Sequence, residues 1–309
     1  MSETTWPAPR TFFGAPATPL GDLDAEVAFL GVPYDGGTPQ PGNRTGQAEG
    51  PAAARRQSYE QFEHGAGWYD IETDTEYLVG VTMADVGDVA IQGSDVDGNY
   101  ARITAAARRI AESGALMAAI GGDHSISFPL GRGMEPHGEI DIVHIDAHAD
   151  FADGFEGARL TGGSQLRRLA ELPFVRNVAA LGLRNVDREL ELEPLRERGA
   201  GIATSLDLIE DGAAAVVPRI VPESPALYVS VDIDVLDIGV VPGTTLPEPG
   251  GLSYRQLRDV LVQVARRGEV VGFDVVELNP PHDPSATTAR VATWIATHLL
   301  SEVFSRKAD

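Results

Sequence analysis

Cysteine is absent from this chain of 309 residues. That absence excludes disulfides, thiolate metal sites and cysteine nucleophiles together. Lysine is almost absent as well: Lys307 is the only one, and Lys and Arg total 24 against 46 Asp and Glu. The formal net charge of −22 argues against a broad basic surface, so neither nucleic acid nor an anionic membrane is an expected partner. The acidity reads first as a composition bias of the host. Its physical consequence is a field that favours a small cationic substrate. No run of about 18 apolar residues occurs, so no transmembrane helix is expected. Residues 1–10 are polar, contain proline and lack the apolar stretch of a secretory signal. These absences fit a cytoplasmic enzyme.

What is present is a 43% hydrophobic chain, enough for a well-buried core. Short Val-, Ile-, Leu- and Ala-rich runs at 26–33, 81–86, 115–120, 140–145, 178–183, 227–233 and 270–276 read as strands. Continuous apolar runs suit parallel strands covered on both faces. Helical patterns at 100–113, 163–171, 187–198, 253–267 and 286–305 alternate with them, with Ser253 as an expected N-cap. The alternation predicts one α/β domain over 1–309, with 1–25 as an N-terminal arm. The Gly- and Pro-rich segment 35–54 reads as an ordered loop near the site.

In open parallel sheets, ligands bind beyond the carboxyl ends of the strands. Polar clusters succeed four of the predicted strands. Asp146, His148 and Asp150 alternate, and alternate residues of an extended segment point the same way. Asp232 and Asp234 repeat that spacing after an apolar strand, where two like charges are costly without cations. The turn Gly121–Gly122–Asp123–His124 adds an imidazole, with Asp123 positioned to orient its ring. Four carboxylates and two imidazoles suit two divalent ions about 3.5–4 Å apart, which lower the pKa of a shared water. Nitrogen and oxygen donors favour Mn, Zn, Fe, Co or Ni over Cu(I).

These residues resemble the ureohydrolase (arginase/agmatinase) superfamily. The resemblance runs through Gly31–Val32–Pro33–Tyr34–Asp35, Asp85–Val86–Gly87–Asp88 and the three clusters above. It continues through Pro242–Gly243–Thr244, Pro247–Glu248–Pro249–Gly250–Gly251 and Gly272–Phe273–Asp274–Val275–Val276–Glu277. Order and spacing look most like the agmatinase branch. The resemblance implies a three-layer α/β/α fold with a mostly parallel sheet of about eight strands. It implies two metal ions, usually Mn2+ and in some relatives Ni2+, and hydrolysis of a guanidino compound to urea and an amine. It implies that His124 and Asp150 bind one ion, that His148 and Asp234 bind the other, and that Asp146 and Asp232 bridge. Glu277 matches the acid that contacts the guanidinium. Relatives commonly form trimers or hexamers.

The chain also departs from the pattern. Gly162 stands where the family often carries a histidine, two residues before Ser164. Gln40 replaces an arginine, 47–50 resembles an insertion, Thr245 and Leu246 replace Gly-Thr, and Ile238 replaces proline. His282 is an expected partial substitute for the missing histidine. His144 reads as a packed residue behind the ligands. Gly162, Ser164 and Thr245 are expected to touch substrate. Three readings result: an amidinohydrolase with altered substrate loops, a formiminoglutamase-like C–N hydrolase, or a weakly active subunit of a heteromer.

Overall fold

The computed structural model describes residues 4–37, 44–58, 61 and 65–308. Gln40 and His64 lie outside the described residues. The strands in chain order are β1 (Thr5–Trp6), β2 (Val27–Val32), β3 (Trp68–Asp70), β4 (Thr75–Tyr77), β5 (Met83–Val89) and β6 (Leu116–Gly121). After them come β7 (Ile140–Ile145), β8 (Val175–Leu183), β9 (Gly201–Thr204), β10 (Ser224–Asp232) and β11 (Gly268–Val276). β3 and β4 form a separate antiparallel hairpin. The other nine make one sheet in the order β1-β5-β2-β6-β11-β10-β7-β8-β9. Only β1 runs antiparallel to its neighbour. All seven apolar runs are strands of this sheet, and the two further strands, β1 and β9, are too short to show such a run.

Helices cover both faces, which is why the strands carry no polar alternation. The helices are α1 (Gly50–Ser58), α2 (Val96–Ser113), α3 (Ser127–Arg132), α4 (Gln165–Ala170) and α5 (Glu193–Glu197), followed by α6 (Ser205–Glu210), α7 (Ala213–Ile220), α8 (Tyr254–Ala265) and α9 (Thr287–Ala308). One core layer joins Ala53, Val216, Leu257 and Ile295 to alternate strand residues such as Val143 and Ile145. The opposite layer joins Ile103, Leu130, Leu166 and Leu195 to Ile140 and Ile142. The three-layer α/β/α arrangement is therefore present. Ser253 caps α8 in a reciprocal box with Gln256. No helix of the described residues is long and apolar enough to cross a membrane. The predicted arm is docked: β1 pairs with β5, and Phe12 and Phe13 are buried against Phe29.

Register aligns the strand ends. Ile120 is opposite Val275, Val275 opposite Val231, and Val231 opposite Ile145. The neighbouring strands β6, β11, β10 and β7 thus end at one level. The residues just beyond these ends meet above a single row of four apolar residues.

Candidate metal centre

Beyond that row stand His124 after β6, Glu277 after β11, Asp232 and Asp234 at the end of β10, and Asp146, His148 and Asp150 after β7. The six expected ligands converge. His124 Nδ1 lies 3.0 Å from Asp146 Oδ2, 3.0 Å from Asp150 Oδ2 and 3.0 Å from Asp232 Oδ2. His148 Nδ1 lies 3.1 Å from Asp234 Oδ2 and 3.4 Å from Asp146 Oδ1. Backbone N–H groups tie the acids down: His148 donates to Asp146 Oδ1 at 2.7 Å, and Asp234 donates to Asp232 Oδ1 at 2.8 Å. Asp150 is held in the left-handed region at φ 48° and Glu277 at φ 65°. Such conformations cost of order 1–3 kcal/mol and persist where the surroundings over-determine them.

The tautomer of His124 is set by its other nitrogen. Nε2 is 2.9 Å from Ser230 Oγ, and Ser230 donates to Asp274 Oδ1 at 2.8 Å. Tyr228 also donates to Asp274. With its hydrogen committed to an acid, Ser230 accepts from His124 Nε2–H, and the Gln165 amide, 3.1 Å from the same nitrogen and with its other terminal atom unpartnered, turns its oxygen to that N–H. That leaves the Nδ1 lone pair facing three carboxylates. His124 Nδ1 and Asp146 Oδ2 are both buried without a hydrogen-bond partner. A donor set of lone pairs aimed at one point, with orphaned atoms, is what a cation fits.

The electrostatics show the same demand for positive charge, which a proton on the rings would meet in place of a cation. Burial and then like charge push the Asp232 carboxyl well above the usual range and Asp234 up to about 6. Burial opposes charge on the His124 ring, yet Asp146, Asp150 and Asp232 outweigh it and raise the ring above its ordinary value. The same balance, with Asp234 and Asp146, raises His148. The ion pairs of the described residues give these acids imidazole partners only. The cluster is short of positive charge. Two groups of donor atoms lie close enough to share an ion: His124, His144 and Asp146, and Asp146, His148 and Asp234.

Glu277 is buried beside this cluster. Its Oε1 accepts the His124 N–H at 2.8 Å, and its Oε2 lies 3.2 Å from Gln47 Nε2. Burial raises its carboxyl, against hydrogen bonds from Thr245, the His124 N–H and Gln47. A cavity of roughly 330 Å3 opens over the acids. Gly162 and Gly163, the apolar Phe155, Leu190 and Leu246, and the acids Asp187 and Glu191 line it. Thr245 lines it too. Burial and the charge of Asp150 push the Glu191 carboxyl up to about 7.

Three expectations are corrected. His282 is exposed in the turn Pro280–His282 and does not line the cavity, because β11 ends at Val276 and the chain turns outward through two prolines. Ser164 is fully buried but spends its hydroxyl on the turn that starts α4, donating to Arg159 O at 2.8 Å and accepting from Thr161 N at 3.1 Å. Asp123 does not orient the His124 ring; it accepts from Gly37 N at 2.6 Å and Ser125 N at 3.0 Å. His144 is buried as expected, stacked on His124 with ring centroids 5.1 Å apart. Gln165, 3.1 Å from His124 Nε2 and 3.3 Å from His144 Nδ1, joins the site with Asp187, Glu191 and Ser230 without a role assigned from the sequence, as do Gln47 and Asp274, which the sequence marks only as part of an insertion and of a family motif. Asp187 comes after the end of β8, so the strand-end rule reaches it, but no alternation of acids marks that segment.

A model of the arginase family matches residues 25–301. The chain belongs to the arginase family. This family member is 34% identical over 284 residues to the proclavaminate amidinohydrolase of Streptomyces clavuligerus, covering 89% of this chain and 87% of that one. It is 33% identical over 287 residues to the guanidinopropionase of Pseudomonas aeruginosa, covering 89% and 86%. The solved proclavaminate amidinohydrolase superposes with a TM-score of 0.85 at 30% identity over 96% of this chain and 97% of that chain. Membership makes this arginase-family protein a hydrolase of C–N bonds in amidines. Relatives at similar identity are named for different substrates, so membership does not select one.

Proposed function

We propose that this chain is a binuclear-metal amidinohydrolase, agmatinase-like in its catalytic set but altered in its substrate walls, that cleaves a guanidino compound to urea and an amine. The observation that carries this is the meeting of His124 Nδ1 with carboxylates from two further strand ends, each at 3.0 Å. His124 and Asp150 would hold one ion, His148 and Asp234 the other, and Asp146 and Asp232 would serve both. Two divalent ions, Mn2+ or Ni2+, would supply the charge that makes water nucleophilic near neutral pH. The assembly proposed is a cytoplasmic homotrimer or homohexamer.

Glu277 supplies the recognition. An ionised carboxylate only accepts, so it takes N–H bonds from a planar cation and turns its carbon toward the acids that hold the metals. Thr245 borders the same space. The departing chain of the substrate runs past Phe155, Leu190 and Leu246, with Asp187 and Glu191 able to receive a cationic end. The wall at Gly162 is open: an added Cβ would meet only His124 Cβ at 3.9 Å and Gly37 O at 4.0 Å. No unusual φ demands glycine there. By contrast, a Cβ at Gly37 would fall 2.2 Å from Ser125 Oγ. The room at Gly162 favours a guanidine carrying an extra substituent.

The test is urea release from a panel by protein reconstituted with Mn2+ or Ni2+. The panel holds agmatine, arginine, guanidinobutyrate, guanidinopropionate, guanidine and alkylated guanidines. Urea from at least one guanidine is expected. Formamide without urea from a formimino compound, with all guanidines inert, would overturn the reading.

A further inference from the structure

We infer that Gln47 is a positioning residue that fixes the carboxylate of Glu277, and through it the orientation of a bound guanidinium. The inference rests on the proposed role of Glu277. Gln47 lies 230 residues from Glu277 in the chain. It sits in the short turn Gln47–Glu49 that leads into α1, and it is fully buried.

Its amide nitrogen reaches two acceptors: Thr245 Oγ1 at 2.5 Å and Glu277 Oε2 at 3.2 Å. Its oxygen, Oε1, is buried without a partner. The opposite amide orientation would set that oxygen against an acceptor-only carboxylate, so the nitrogen faces Glu277. A buried amide with an orphaned oxygen is unfavourable by itself, and a residue kept for packing would be apolar. The geometry supplies the reason. Glu277 has one oxygen fastened by the His124 N–H and the other by Gln47. Thr245, having accepted from Gln47, turns its own hydrogen to Glu277. Both oxygens are therefore tied, which fixes the plane of the carboxylate and directs the remaining lone pairs. No proton needs to move at Gln47, and it touches no reacting atom.

Two variants test this in the full-length, metal-loaded protein. Gln47→Met keeps the length and removes both donors. Gln47→Glu keeps the shape and places a second carboxylate against Glu277. Expected for Gln47→Met is a rise in KM of about tenfold or more for the guanidines that wild type turns over, the range a lost hydrogen bond to a charged group produces. The change in kcat should be smaller and the bound metal unchanged. Gln47→Glu should also raise KM, but a second buried carboxylate is costly in any role, so KM and the Glu277 orientation in Gln47→Met decide between positioning and packing. Crystal structures of wild type and Gln47→Met, both with guanidinium chloride, give the second readout: the Glu277 carboxylate should rotate in the variant. An unmoved Glu277 with unchanged KM overturns the inference. If wild type releases no urea from any guanidine, the proposed function fails, while the orientation of Glu277 in the two structures still decides the part played by Gln47. Should Gln47→Met not fold, Gln47→Asn, which keeps the amide but withdraws it by one methylene, carries the same comparison.

Discussion

Two buried acid clusters on the same sheet obey opposite rules. Near one edge, the Arg55 guanidinium grips Asp85 with two nitrogens at 2.9 and 3.0 Å, Asp88 at 2.5 Å and Gly87 O at 3.1 Å, and lies 4.4 Å above the Phe12 ring. All three of its nitrogens are bonded. Asp85 also accepts from Phe12 N and Gly87 N, so charge and hydrogen bonds close within the chain. At the carboxyl ends of the central strands, four acids meet only the imidazoles of His124, His144 and His148, with no arginine or lysine among their ion pairs in the described residues, and His124 Nδ1 and Asp146 Oδ2 lack a hydrogen-bond partner. Asp85 is as buried as Asp146, Asp232 and Asp234, but only its cluster is complete. The finished cluster belongs to the fold, and the unfinished one marks the place where something from outside the chain completes the charge.

The contrast breaks most sharply under Asp232→Asn. Asp232 stands among the lone pairs that converge on His124, so metal stoichiometry should fall and activity should drop to background. Stability of the metal-stripped protein should rise, because a buried like charge has gone. Metal analysis and thermal unfolding in chelator read both signs. Unchanged metal content in this variant would count against Asp232 as a shared ligand, and a lower melting temperature in chelator would mean that the acids are balanced after all.

Arg55→Met should behave the opposite way. Removing one partner of a buried pair costs about 3–5 kcal/mol, because it strands the remaining charges. Asp85 would be left buried with one cation fewer. The loss should appear equally in metal-loaded and metal-stripped protein, measured by urea unfolding. A loss that appears only in the metal-loaded form would tie this cluster to the site and dissolve the distinction.

The same contrast explains what is legible in the sequence. The strands that carry the site are legible because they are buried on both faces, and an unbroken apolar run is visible without context. β1 and β9, of two and four residues, give no such run. The six converging donors are legible because strand geometry turns an every-second-residue spacing into a shared direction. Gln47 is not, since a buried amide in a turn before a helix carries no period and its partners are far along the chain. His282 and Ser164 depart from expectation for a related reason. Nearness in sequence to Glu277 or Gly162 does not set direction where a 3-10 turn intervenes. Asp123 departs because a carboxylate beside a histidine in the chain need not serve its ring: the free N–H groups of Gly37 and Ser125 are closer partners.

The smallest expected effect concerns the wall of the unfinished cluster. Gly162→Ala adds a methyl group at van der Waals distance from His124 Cβ and Gly37 O, with no strained backbone to relieve. Stability should change by no more than about 0.5 kcal/mol, as for a substitution that breaks no contact. Selectivity should move instead. If an extra substituent on the guanidine occupies that space, KM for N-alkylated members of the panel should rise while KM for guanidine itself holds. One extra methylene in an apolar pocket is worth roughly 1–3 kcal/mol, so the ratio of the two should shift about tenfold or more. The control is Leu246→Ala in the same cavity: Leu246 is 44% exposed at the wall, and its loss should weaken long-chain substrates without changing that ratio. Equal responses of all guanidines to Gly162→Ala would show that the open wall holds only water, and the substrate's extra group would then have to be sought beside Asp187 and Glu191.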